Sequence, residues 1–392
     1  MKKVNNYIFI SMIVVIFLCG IFPFIREQKY ESVLENRALN KIPAFNFNEY
    51  LSGQFQDELE VGLSDQFLGG ENIRRYYNSF LKNVSKTIET GLKIKENGCK
   101  NEYVLLDNGR AVFDCSDYIV FLPNHSQDHD IIMDNIKSYS KLNDYVDTYY
   151  YYIPSTLLFD FRNNSYVDDY VNIFKDYLKD DNKIDYLKFN NYDEYKKYFY
   201  KNDHHWNYIG SYQGYKDIYN LLNLKEGLMI PTGTYNSHEP YYGSHSRLTR
   251  NYDFYDEFKI YTFDFKKYKT YINRKEDKYD HIEDFVNHNY QEELDKNYYG
   301  YVYGIDYAEV IFDFDNKEND NLLIIANSLS NAVNELIASH FNKTYVIDLR
   351  YYKEEFKKDF KVLDYIKQNN INKVLFIMNI DSLKVPDIGL EE

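Results

Sequence analysis

The C-terminal quarter carries the pattern that most restricts the fold. Residues 322–326 (LLIIA) form a continuous apolar run, 330–341 place Ala332, Leu336 and Phe341 at helical intervals, and 344–348 (TYVID) form a second short strand. A helix near 355–368 leads to a third strand at 374–378 (VLFIM). Strand, helix, strand, helix, strand predicts a parallel sheet with right-handed crossovers. Upstream, 146–153 (VDTYYYYI) reads as another buried strand, stopped by Pro154-Ser155. The tyrosine-rich stretch 165–199 reads as mostly helical. Residues 227–319 read as loops and short antiparallel strands. No internal repeat is evident.

The other end of the chain is apolar in a different way. Residues 7–25 (YIFISMIVVIFLCGIFPFI) contain no charge, and at ~1.5 Å per residue they can just cross a ~30 Å hydrocarbon layer. Lys2 and Lys3 precede the run, which keeps the N-terminus cytoplasmic. Arg26, Glu27, Gln28 and Lys29 follow without a small-residue cleavage pattern, so an uncleaved signal anchor is expected in preference to a removed signal peptide. The expected organisation is a cytoplasmic tip and membrane anchor (1–25), a connector and helical lead-in (26–95) and a main domain (96–392). In the lead-in, Phe55, Leu59, Leu63 and Phe67 recur at helical spacing, and Ile73, Tyr77, Phe80 and Leu81 mark a second helical stretch. Beyond residue 25 the chain holds 44 basic and 61 acidic residues, a net charge of −17. That argues against nucleic acid or anionic lipid as a partner.

Three cysteines occur, at 19, 99 and 115. Cys99 and Cys115 flank two strand segments around an Asp107-Asn108-Gly109 turn. A hairpin there would set the sulfurs nearly opposite each other; outside the cell, a disulfide and two separate thiols both fit the pattern. The 44 tyrosines suit either a sugar-binding surface or a compositional bias, and the second is preferred for most of them.

Two segments carry chemistry. The first is Asp203-His204-His205-Trp206, which holds the one tryptophan of the chain. Asp203 and His205 are separated by one residue, so in an extended or turning backbone both side chains point the same way. The carboxylate can then hold one imidazole nitrogen and orient the other. A metal site of Asp203, His204 and His205, or a hydrogen-bonded core knot, would use the same residues. The second is Asn327-Ser328-Leu329-Ser330, where a strand ends and a helix begins. Ser328 would stand at the carboxyl edge of a parallel sheet and at a helix N-terminus, whose free N–H groups suit an oxyanion. A serine needs a base such as His205 to become a nucleophile; Asn327, Ser328 and Ser330 can equally serve as helix caps alone.

The tetrapeptide at 203–206 gives the DHHW family of exported proteins its name, and the chain resembles that family along most of its length. Glu35-Asn36-Arg37 with Leu39, and Asp65-Gln66-Phe67, resemble its N-terminal signature. Residues 323–328 resemble its Gly-Asp-Ser block, and Asp348-Leu349-Arg350-Tyr351-Tyr352 the segment after it. The family is similar in turn to the alginate O-acetyltransferase proteins. The resemblance implies an α/β, SGNH-hydrolase-like three-layer core with a parallel sheet and a permuted order of motifs. It implies a triad of Ser328 as nucleophile, His205 as base and Asp203 as orienter. The Ser328 N–H would hold the oxyanion, with Asn327 at the turn. His204, Trp206 and Arg350 become candidates for substrate binding, although packing suits Trp206 equally. The implied role is O-acetyl transfer, or acetyl ester hydrolysis, on a cell-surface polysaccharide. It would take place outside the cytoplasmic membrane with no cofactor and no resident metal, alongside a multi-pass membrane acyltransferase. One departure stands out: Ala326-Asn327 replaces the Gly-Asp of the family block. Ala326 removes glycine's access to positive φ, which favours the alternative of an inactive glycan-binding or scaffold protein.

Overall fold

The computed structural model describes residues 23–390 apart from 30, 33–36, 68–76, 78–100, 107, 127, 179, 250, 278–297 and 386–387. Most of the run 7–25 and of the second helical stretch, together with Cys99, therefore lies outside the described residues. Among those residues, no helix is long and apolar enough to cross a membrane. The chain divides into two compact units, residues 1–99 with 246–253, and residues 100–245 with 254–392.

In the first unit, helices Phe47–Ser52 and Gln54–Gln66 follow a short antiparallel pair. The end of the second helix pins the connector. Asp65 accepts hydrogen bonds from the Asn40 backbone and side chain, at 2.9 and 2.8 Å. The Gln66 amide bridges Lys29 and Asn40. Asp65 and Gln66, which carry part of the family resemblance, thus tie the chain down locally.

The second unit is built on one mixed sheet. Its strands are β1 (Asp147–Tyr152), β2 (Ile184–Tyr186), β3 (Lys269–Ile272), β4 (Lys275–Asp277), β5 (Glu309–Asp313), β6 (Leu322–Ala326), β7 (Lys343–Ile347) and β8 (Lys373–Met378). The spatial order is β4-β3-β5-β7-β6-β8-β1-β2. Strands β7, β6, β8, β1 and β2 run parallel, and β5, β3 and β4 add an antiparallel edge. The sheet expected to be parallel is mixed: the short antiparallel strands expected within 227–319 extend it on that side. The β3–β4 turn is the two residues Asn273 and Arg274, both at positive φ. Such a turn enforces an antiparallel hairpin.

Side chains alternate strictly between two cores. Ile324 in β6, Tyr151 in β1 and Leu375 in β8 face one core. Leu323 and Ile325, Tyr150 and Tyr152, and Val374 and Phe376 face the other. Helices α1 (His129–Lys141), α2 (Tyr170–Tyr177), α6 (Leu349–Phe356) and α7 (Val362–Asn369) cover the second face. Helices α3 (Tyr208–Leu221) and α5 (Asn331–Ala338) cover the first, and a short α4 (Tyr298–Tyr303) precedes β5. The core therefore has three layers. The single helix expected near 355–368 is two helices, because Lys357 at φ 54° ends α6 in the left-handed region. The helical expectation for 165–199 missed β2, whose three residues are too few to show a period.

Many tyrosines are core residues here. Among the described residues, Tyr139, Tyr150, Tyr151, Tyr170, Tyr195, Tyr215 and Tyr241 are all fully buried. Two of them place their hydroxyls on Tyr139 O and Asp217, as burial requires. The expected strands around residue 108 are present at Tyr103–Leu105 and Arg110–Phe113, joined by a third at Ile119–Phe121. Cys115 is disulfide-bonded.

Trp206 is completely buried against α3. A Cβ on Gly214 would lie 2.4 Å from the indole. Gly214→Ala gains up to ~1 kcal/mol of helix propensity but overpacks the ring, so a net loss of about 2 kcal/mol is expected in urea denaturation.

Candidate active site

The site begins at the carboxyl edge of the sheet. β6 ends at Ala326, and Asn327 turns the chain into a 3-10 turn, Ser328–Ser330, that runs into α5. The Asn327 side chain accepts from the Leu329 N–H at 3.1 Å and donates to Asn379, just past β8, at 2.9 Å. Both ends of its amide are therefore occupied. Asn327 is thus the turn and cap residue that the sequence placed there. Ala326 lies in an ordinary strand, and position 326 does not take positive φ. The loss of glycine there carries no backbone cost.

The second half of the site is a tight loop. Phe199 and Trp206 form an antiparallel bridge, and the Asn207 side chain caps α3 from Ile209 and Gly210. The Asn202 side chain donates to Tyr241 O at 2.7 Å and accepts from the Gly243 N–H at 2.8 Å. This clamp brings residues 241–245 against Asp203. Asp203 is 1 % exposed, and four donors satisfy its carboxylate. Oδ1 accepts from the His205 backbone N–H (2.8 Å) and from His205 Nδ1 (2.5 Å); Oδ2 accepts from the Tyr241 hydroxyl (3.0 Å) and the Ser244 N–H (2.6 Å). Gly243 is obligatory at this approach, since a Cβ would stand 2.4 Å from Oδ2. The sequence places 241–246 among the loops and short strands of 227–319; the signal there is a glycine between aromatic and hydroxyl residues.

With Nδ1 held, His205 turns Nε2 to Ser328 Oγ at 3.1 Å. The structure thus brings together Asp203, His205 and Ser328, from segments 123 residues apart. Among the described residues the Ser328 N–H has no hydrogen-bond partner. His204 stacks 3.9 Å from His205 and bonds Ser244 Oγ through Nδ1. Beside the serine lies a cleft of about 380 Å³, lined by Phe121, Ser155, His204, His245, Leu329 and Asn379 among others. Asn379 is fixed through its Oδ1 by Asn327 and Ser382, and its amide nitrogen has no partner among the described residues.

Two substrate-binding expectations are corrected. Trp206 is inaccessible, because its indole fills the space that Gly214 leaves open. Arg350 is a fork on Asp348 at 2.9 and 2.5 Å and also pairs with Asp306 at 3.1 Å. Two carboxylates pair its charge, so a ligand there would have to compete with them.

Burial and neighbouring charge shift the groups around the site. Burial alone would raise the Asp203 carboxyl, but the charges of His205 and His204, with hydrogen bonds from His205 and the Ser244 N–H, hold it well below the carboxylate range. Desolvation and the neighbouring His205 keep His204 well below the ordinary imidazole range. Burial likewise lowers His245 to about 3. One donor atom from each of Asp203, His204 and His205 lies within 4.8 Å of the others, close enough to share a cation. Those groups already form the bonds described above, so a cation would have to displace the Asp203–His205 contact.

No family model and no curated protein matches the sequence. Solved structures do. A DHHW family protein from Eubacterium siraeum superposes with a TM-score of 0.54 at 21% identity, over 73% of this chain and 95% of its own. PatB1 from Bacillus cereus, solved with a sulfonyl adduct, gives 0.52 at 20% identity over 74% and 99%. The chain shares their fold. The O-acetyltransferase domain of Pseudomonas putida AlgJ aligns over 73% of this chain and 93% of its own, at 11% identity with a TM-score of 0.35. The DHHW family protein among them matches the resemblance read from the motifs.

A carboxyl held below its unfolded value of ~3.9 stabilises the fold at every pH above that value and loses the contribution as pH falls through the folded value. Asp203→Asn should therefore cost about 3 kcal/mol at pH 7. In urea denaturation the deficit should shrink as pH falls below the unfolded carboxyl's ~3.9 towards the lower folded value.

Proposed function

We propose that the chain is a membrane-anchored, extracytoplasmic acyl-transfer protein that moves acetyl groups onto or off a cell-surface polysaccharide. The observation that carries the chemistry is the continuous hydrogen-bonded line from Asp203 through His205 to Ser328 Oγ. His205 Nε2 takes the Ser328 proton as Oγ attacks an acetyl ester. The carbonyl oxygen becomes an oxyanion received by the Ser328 N–H, with the Asn379 amide as second donor. His205⁺ returns the proton to the departing oxygen, leaving an acetyl-serine. A sugar hydroxyl, or water, then gives its proton to His205 and attacks the acetyl carbon; as the acetyl–Oγ bond breaks, His205⁺ returns that proton to Ser328 Oγ. Asp203 stays ionised throughout and stabilises the imidazolium.

The acetyl group and the polysaccharide come from the resemblance to the DHHW and alginate O-acetyltransferase proteins; transfer is favoured over hydrolysis for the same reason. The location rests on the charge-free run 7–25 behind Lys2 and Lys3. A separate multi-pass acyltransferase would deliver acetyl groups outward, a task for which this sequence has no further apolar spans.

The full-length protein should release p-nitrophenol from its acetate ester. Ser328→Ala and His205→Ala should each abolish release, and Asn379→Ala should slow it about a hundredfold. Unchanged turnover in Ser328→Ala would remove the serine from the reaction.

A further inference from the structure

One aromatic residue touches both halves of the site. Tyr299, in α4, lies nearly parallel to the His205 ring at a centroid distance of 3.9 Å and an angle of 18°. Its hydroxyl donates to Ser328 O at 3.1 Å and sits 3.4 Å from Leu329 O. It is 3 % exposed, and Tyr303 abuts its ring edge-on at 5.0 Å. The His204 ring is also 3.9 Å from the imidazole, tilted by 38°. The imidazole therefore has a parallel ring beside it, with Asp203 at Nδ1 and Ser328 at Nε2.

We infer that Tyr299 is a positioning residue that couples the base to the nucleophile: its ring sets the plane of His205 while its hydroxyl fixes the backbone that presents Ser328 Oγ. The inference rests on the acyl-transfer reading above. One bond from the Asp203 carboxylate to the His205 backbone N–H and one to Nδ1 define where Nδ1 sits, but they leave the imidazole free to tilt about the line joining Nδ1 to its partner. A flat ring at van der Waals distance removes that freedom. The Ser328 carbonyl stands at the start of a 3-10 turn, and tethering it limits the rocking of the nucleophile. A displacement of 1 Å at this point is worth about a hundredfold in rate.

Two variants of the full-length protein separate the functions. Tyr299→Phe keeps the ring and loses the hydroxyl; Tyr299→Leu loses both. Proton NMR with labelled histidine reads the stack directly, because an aromatic face shifts the carbon-bound protons of His205 upfield. Wild type and Tyr299→Phe should show the shift and Tyr299→Leu should lose it, with broadening of the Nδ1–H signal. The rate at which a sulfonyl fluoride modifies Ser328 reads the coupling. It should fall about tenfold in Tyr299→Phe, the worth of one hydrogen bond, and about a hundredfold in Tyr299→Leu. A folded Tyr299→Leu protein that keeps the upfield shift, or a Tyr299→Phe protein modified at the wild-type rate, overturns the inference. If Tyr299→Leu does not fold, the Tyr299→Phe rate decides alone. If wild-type Ser328 does not react, the acyl-transfer reading fails, and the imidazole spectrum of wild type and Tyr299→Leu still decides the stack.

Discussion

The burial of one carboxylate organises the second unit's chemistry. Asp203 is removed from water, and an ionised carboxylate there is tolerable only with its lone pairs filled. Two of its four donors come from His205 and two from Tyr241 and the Ser244 backbone. Meeting that demand requires the loop before α3 to turn sharply, the strand ending at Tyr241 to run beside it, and Gly243 to pass without a side chain. A group this costly to bury also fixes the direction of His205, because Nδ1 has a single place to go.

The sheet supplies the other coordinate. Five parallel strands end along one edge, and β6, β8 and β1 deliver Ser328, Asn379 and Ser155 to it in adjacent positions. The turn at Asn327 ties two of these ends together through the Asn327–Asn379 bond. Loss of the family's acidic residue at 327 leaves this tie intact, since an amide both donates and accepts. The stated ground for an inactive protein, Ala326 without glycine's freedom, loses its force because β6 continues through that residue in ordinary strand geometry.

Much of this was legible in the sequence, for identifiable reasons. The strands at 322–326 and 373–378 are apolar runs buried on both faces, and such runs announce themselves. Asp203, His205 and Ser328 were legible because chemistry needs those residue types at short spacing or at a strand end. What was not legible depends on partners remote in sequence. Trp206 suggested a sugar platform until Gly214, eight residues on, proved to be its seat. Arg350 looked like a free cation because Asp306, 44 residues earlier, is not marked as its partner. Tyr241, Gly243, Asn379 and Tyr299 belong to residue types that are common in this chain, and only the fold distinguishes them. The antiparallel strands of the edge fall within 227–319, where short antiparallel strands were expected; what the half-polar pattern did not show is that they join the parallel sheet.

The account stands on Ser328 being an activated hydroxyl. The direct measurement is treatment of the full-length protein with a sulfonyl fluoride, followed by proteolysis and peptide mass mapping, in wild type and in His205→Ala. The account predicts one adduct in wild type, on the peptide containing Ser328, and none in His205→Ala. An adduct on another residue, or equal modification of Ser328 in both proteins, would contradict it.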